Sequence, residues 1–155
     1  MWLIEVGYKP EFKDAIGNAI KHDIKEDLLI DSVKDVKYVE SYAIKADLSQ
    51  KQVEQIAFEL VSDPVIQDYS INSRLHNDFN WEISISYHDD VTDNVGMTCE
   101  QGIKDLGLPL HENESVRTVR KYYVKGELSE TQVKLICQGL LANELIESFE
   151  FKQRE

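Results

Sequence analysis

Residues 2–17, WLIEVGYKPEFKDAIG, are answered 79 positions later by residues 81–96, WEISISYHDDVTDNVG. Trp2, Ile4, Tyr8, Asp14 and Gly17 stand opposite Trp81, Ile83, Tyr87, Asp93 and Gly96. The correspondence continues through Ile24 and Lys25 to Ile103 and Lys104. After a one-residue insertion it resumes at Tyr42 and Tyr122. Beyond that point Lys45, Leu48, Ser49, Gln52, Val53, Ile56, Leu60 and Ile66 match Lys125, Leu128, Ser129, Gln132, Val133, Ile136, Leu140 and Ile146. The chain is therefore two copies of one unit, and the fold question halves. Two copies are too few for a solenoid, which needs about three repeats, so a pseudo-symmetric pair is expected.

The periods within each copy give the elements. Trp81, Ile83, Ile85 and Tyr87 alternate with Glu82, Ser84, Ser86 and His88, and Trp2, Ile4, Val6 and Tyr8 share one face in the same way, as half-buried strands do. A second alternation runs through Tyr42, Ile44, Ala46 and Leu48 and is matched by Tyr122, Val124, Gly126 and Leu128. Just before it, residues 33–39 and 115–120 read as shorter strands that either run on or turn back as hairpins, and the sequence leaves both open. Ser49 with Gln52, and Ser129 with Gln132, form S-x-x-Q capping boxes ahead of an i, i+3, i+4, i+7 apolar pattern. Asp14 and Asp93 are N-caps of another helix, which reaches about Leu28 or Leu106 with Ile16, Ile20 and Ile24 inward. Each copy closes on a strand, residues 65–71 and 145–151. The expectation is an α+β fold of two β-α-β(β)-α-β repeats, residues 1–72 and 81–155, with residues 73–80 as linker. Two helices of each repeat cover one face of an antiparallel sheet.

Composition narrows the work this fold does. Seventeen Lys and Arg against 29 Asp and Glu in 155 residues give a net charge of −12, shared evenly by the copies, which argues against nucleic acid and anionic membranes as partners. There is no apolar run of membrane-spanning length and no basic, apolar leader, so a cytoplasmic location is expected. Cys99 and Cys137 align with Ile20 and Ala57 on inward helix faces and read as small core residues. His22, His76, His88 and His111 do not repeat, the acidic runs read as solvated faces, and Trp2 and Trp81 read as packing residues. Neither a zinc pattern nor a phosphate-binding or nucleophile motif is present. No catalytic, cofactor-binding or metal-binding residue is expected in this chain. The exception to this blandness is Asp-x-x-Gly, Asp14 to Gly17 and Asp93 to Gly96. A glycine kept twice inside a helix costs about 1 kcal/mol each time, so it signals a close approach, either helix packing or a backbone surface offered to a partner or ligand.

These pieces in order resemble the PurS family, the small subunit of formylglycinamidine ribonucleotide (FGAM) synthase, and the PurS-like N-terminal region of larger PurL proteins. They are an opening strand, Asp-x-x-Gly at helix one, a strand into the second helix, and a helix ending in LLAN-like residues before V-I-x-D-Y. Here that ending reads Val61 to Tyr69 and Leu141 to Phe149, with Ser62-Asp63-Pro64 departing from the pattern in the first copy and the Asp-Tyr ending lost from the second. The resemblance covers the chain twice. It implies a non-catalytic component of a glutamine-dependent ligase that bridges PurL and PurQ and helps ammonia reach formylglycinamide ribonucleotide (FGAR). ATP and Mg would be used by PurL, in trans or in the same polypeptide, and no cofactor by this chain. Asp14, Gly17, Asp93 and Gly96, from the repeated Asp-x-x-Gly, are the candidate partner contacts. The alternative is a tandem ACT-like module binding a small regulatory ligand, against which the proline-free turn and the capping-box helix argue.

Overall fold

The structure, a computed structural model, describes residues 1–155. The first copy forms strand β1 (Trp2–Tyr8), helix α1 (Ala15–Asp27), strand β2 (Val33–Lys45), helix α2 (Gln50–Ile56) and strand β3 (Gln67–Ile71). The second repeats the order as β4 (Trp81–Tyr87), α3 (Asn94–Asp105), β5 (Ser115–Gly126), α4 (Glu130–Ile136) and β6 (Glu147–Gln153). Both capping boxes form, with Ser49 and Ser129 accepting from the amides of Gln52 and Gln132. Helices α2 and α4 each end in a π-helical turn, Ala57–Val61 and Cys137–Leu141, a widening that recurs where a helix carries an extra residue in its last turn.

The choice left open between a hairpin and one strand resolves as one strand: β2 spans 13 residues and β5 spans 12. Between Tyr38 and Tyr42 lie only Val, Glu and Ser, so no residue there favours the reversed backbone a tight hairpin needs. The six strands form one sheet in the order β3-β1-β2-β5-β4-β6. β1 pairs antiparallel with β2, Ile4 opposite Tyr42, and with β3, Ile4 opposite Ile71; β4 pairs with β6, Ile83 opposite Phe151.

The chain divides into two compact units, and neither is one of the copies. Unit 1 comprises Met1–Phe12, Glu40–Leu75 and Thr92–Val119; unit 2 comprises Lys13–Val39, His76–Val91 and Arg120–Glu155. In unit 1, Ile4, Val6, Tyr42, Ile44, Val53 and Ile56 of the first copy share a core with Cys99, Ile103 and Val116 of the second. In unit 2, Ile83, Ile85, Tyr122, Val124, Val133 and Ile136 of the second copy close around Ile24, Ile30 and Val36 of the first. Each copy thus sends its first helix and the start of its long strand into a core built mainly by the other. Both cores contain two helices and lack one of them if either copy is removed.

Two local expectations change. Ile16 is 45% exposed rather than inward. At 100° per residue, Gly17 lies about 20° from Ile24 around the helix, whereas Ile16 lies about 80° away, so the glycine occupies the inner line and Ile16 its flank. The closing strands begin at Gln67 and Glu147, two residues later than the apolar runs suggest. The connection between the copies has no helix or strand, yet it packs. Leu75 donates its amide to Glu5 Oε1 in unit 1, and in unit 2 Phe79 and His76 lie against Tyr123 at 4.8 and 5.6 Å between ring centroids.

Candidate interaction site

The repeated Asp-x-x-Gly is a junction between helix and strand. Asp14 takes the Gly17 amide on Oδ1 and the Tyr38 amide on Oδ2, both at 2.8 Å, so its carboxylate caps α1 and also fastens it to β2. Asp93 does the same with Gly96 at 2.9 Å and Thr118 at 2.6 Å, and the Thr118 hydroxyl adds a bond at 2.9 Å. Asp93 is 3% exposed, so every oxygen it carries needs these partners. A Cβ on Gly17 would stand 2.3 Å from the Val36 carbonyl oxygen, and one on Gly96 would stand 2.4 Å from that of Val116. The close approach implied by the glycines is therefore to the chain's own strand. The surface these junctions offer outward is the apolar flank of the helices, Ile16 in one and Val95 and Met97 in the other.

A second repeated feature escaped the sequence reading. Just before β3, Asp63 Oδ1 accepts the Val65 amide, its carbonyl accepts those of Ile66 and Gln67, and Gln67 Oε1 accepts the Asp63 amide. Asn143, Leu145, Ile146 and Glu147 build the same turn before β6. The preceding loops tie on identically, Lys9 donating to the Ile66 carbonyl and His88 to the Ile146 carbonyl, each at 2.9 Å. The amides of residues 63 and 65–67, and those of 143 and 145–147, are thus held, and the apex side chain points to solvent: Val65 is 74% exposed and Leu145 88%. An apolar side chain held out by a hydrogen-bonded turn, twice, is the signature of a contact surface, since an exposed apolar patch gains free energy when covered. The signal in the sequence was Asp63 or Asn143 followed four residues later by Gln67 or Glu147.

The copies differ behind this turn. In unit 2, Arg120 bonds Glu147 at 2.7 Å, the Leu141 carbonyl at 3.1 Å and the Tyr122 hydroxyl at 3.0 Å. Burial works against its charge, but Tyr122 and Glu147 more than compensate, so the guanidinium is held above its ordinary value. The equivalent of Arg120 in the first copy is Glu40, which accepts from Tyr42 at 3.3 Å. Cys99 and Cys137 are buried, and burial pushes both thiols up to about 12, which leaves them protonated and inert at neutral pH. Trp81 is buried against Phe151 and Trp2 packs on the unit 1 core. His22 and His111 are exposed, while His76 lies on Tyr123 and His88 Nε2 meets the Glu144 carbonyl at 2.9 Å. No three His, Cys, Asp or Glu side chains converge as a metal site, and no helix is long and apolar enough to cross a membrane. A polar depression of about 180 Å³ over Ser84 and Glu150 contains Lys121, whose charge is paired with Glu82 at 3.2 Å.

Comparison with known proteins bears on both halves. The model of the family PurS, phosphoribosylformylglycinamidine (FGAM) synthase, matches residues 2–74 and again residues 80–155. Among solved structures, PurS from B. subtilis is 26% identical, covering 49% of this chain and 98% of its own, with a TM-score of 0.41. The purS subunit of phosphoribosylformylglycinamidine synthase from Thermotoga maritima is 26% identical over 49% of this chain and 91% of its own, TM-score 0.36. PurLQS from Thermotoga maritima is 28% identical over 49% and 96%, TM-score 0.36. No curated protein matches the chain.

Proposed function

Because this chain belongs to the PurS family of FGAM synthase, and does so twice in tandem, we propose that it is the non-catalytic bridging component of that enzyme. Its role lies in purine biosynthesis. In this reading it acts in the cytoplasm and holds PurL, the ATP- and Mg-dependent amidation enzyme, against PurQ, the glutaminase, so that ammonia passes to FGAR without escaping to solvent. The observation that carries the reading is the double family match. Two features of the fold support it. The exchange of helices between copies makes one paired body from what would otherwise be two chains, so pairing survives any dilution. The two apolar turn apices and the flanks of α1 and α3 supply surface for protein partners.

The experiment is reconstitution. PurL and PurQ are assayed for FGAM formation from FGAR, ATP and glutamine, with and without this chain. The same mixture is run on a sizing column. The reading predicts co-elution and a glutamine-dependent rate that needs the chain, while ammonia-dependent activity does not. Equal glutamine-dependent rates in its absence, with no co-elution, would overturn it.

A further inference from the structure

The two copies serve as controls for each other at the turn before the closing strand. Both build the same hydrogen-bonded turn and both expose its apolar apex, so whatever differs between them is not needed for the turn. What differs is charge. Where the first copy has Pro10, Glu11 and Pro64 around Val65, the second has Asp89, Asp90 and Glu144 around Leu145. The 88–91 loop is fixed beside the apex by the His88 amide on the Ile146 carbonyl, by the His88 ring on the Glu144 carbonyl and by the Val91 amide on the His88 carbonyl. Asp89, Asp90 and Glu144 are exposed and belong to no ion pair, and the nearby cation, Arg120, is taken by Glu147. Ile146, 40% exposed, widens the apolar centre.

Three exposed carboxylates, none in an ion pair, thus flank an exposed leucine. A cationic partner would complement them, and charge complementarity of this kind steers encounter and sets specificity. We propose that the Leu145 apex is a docking site for a basic segment of a partner protein, one that places an apolar side chain on Leu145 and Ile146 and Lys or Arg beside Asp89, Asp90 and Glu144. The inference rests on the reading of this chain as a binding subunit and adds which surface binds and what chemistry it takes. The Val65 apex, flanked by Lys9, Pro10, Glu11 and Pro64, has one carboxylate where the Leu145 apex has three.

The test uses the full chain and two probes. One is a short peptide with leucines between lysines, with its glutamate counterpart as control, followed by amide chemical shifts. The other is purified PurL and PurQ, followed by binding as a function of salt. The lysine peptide is expected to shift residues 88–91 and 143–147 and to leave 9–12 and 63–67 unmoved, and the glutamate peptide to shift neither. Leu145→Ser is expected to weaken the affected partner about tenfold. The D89N/D90N/E144Q variant is expected to weaken it several-fold and to flatten the salt dependence. Shifts by the peptide without binding to PurL or PurQ would uphold the docking site and remove the assigned partners. Partner binding that neither Leu145→Ser nor the neutralised variant alters, with no peptide shifts at the turn, would overturn the docking site and leave the functional reading standing.

Discussion

Replacing Gly96 with alanine tests the helix junction directly, because two effects of opposite sign meet there. Alanine favours a helix interior over glycine by about 1 kcal/mol, so on propensity alone the variant gains stability. The added methyl, however, would lie 2.4 Å from the Val116 carbonyl oxygen, about 1 Å inside ordinary van der Waals contact. The obstacle is backbone in a paired strand and cannot rotate aside, so α3 must lift from β5. The Asp93 bonds to Thr118 then stretch, and Cys99 and Ile103 withdraw from the unit 1 core. Overpacking of this kind costs about 1–3 kcal/mol. With the obstacle rigid, the upper part of that range applies, and after the helix gain the net loss is about 2 kcal/mol. That corresponds to a fall in Tm of roughly 4–8 °C at this chain length. Gly17→Ala, with the Val36 oxygen at 2.3 Å, should behave alike. Gly139→Ala is the control: its Cβ would meet only Leu28 Cδ2 at 3.5 Å, and it should stabilise by roughly 0.5–1 kcal/mol. Urea titration of the three variants gives the values. A Gly96→Ala chain as stable as wild type, or all three shifting in one direction, would refute the argument from close approach.

Three further outcomes follow from other parts of the fold. Asp93→Ala removes a cap and strands the Thr118 amide, and should cost about 2 kcal/mol by thermal or urea unfolding. Asp93→Asn, which retains acceptors, should recover part of the loss. Leu29 ends α1 at φ 57 with its side chain exposed, where the second copy places Gly107 at φ 80; Leu29→Gly should stabilise by about 0.5–1 kcal/mol in the same titration. Cys99 and Cys137 should resist iodoacetamide at neutral pH until the chain unfolds. Since burial holds their protons to about 12 while the unfolded thiols ionise near 9, their contribution to stability is complete below that range and falls as pH rises through it. Rapid labelling of the native protein near neutral pH would contradict the burial.

The features legible in the sequence are those that local chemistry dictates. The strands of β1 and β4, the capping boxes at Ser49 and Ser129 and the Asp14 and Asp93 caps each follow from a few neighbouring residues. The exchange of helices does not. The apolar line of Gly17, Ile20 and Ile24 states that one face of α1 is buried, and it reads the same whether the core beneath belongs to Ile4 or to Ile83. Which copy supplies that core depends on the direction of the long strand, and the sequence before Tyr42 and Tyr122 left open whether that strand runs on or turns back. Ile16 was misplaced because Gly17 has no side chain to mark the inner line. Val65 and Leu145 were absorbed into strands because exposed apolar residues in a bonded turn share the composition of a strand start. The Asp-x-x-Gly pair, the one site flagged from sequence, holds the helices to the long strands.

The central claim is that each copy completes the other's core. Residues 2–74 and 80–155 produced as separate chains test it most directly, by sedimentation and circular dichroism alone and after mixing. The exchange predicts that each half alone is unfolded or self-associated, since Ile24 and Ile103 lose the cores they fill, and that mixing restores one cooperative complex of the two. A half that sediments as a monomer with native helical signal and a cooperative melt would contradict it.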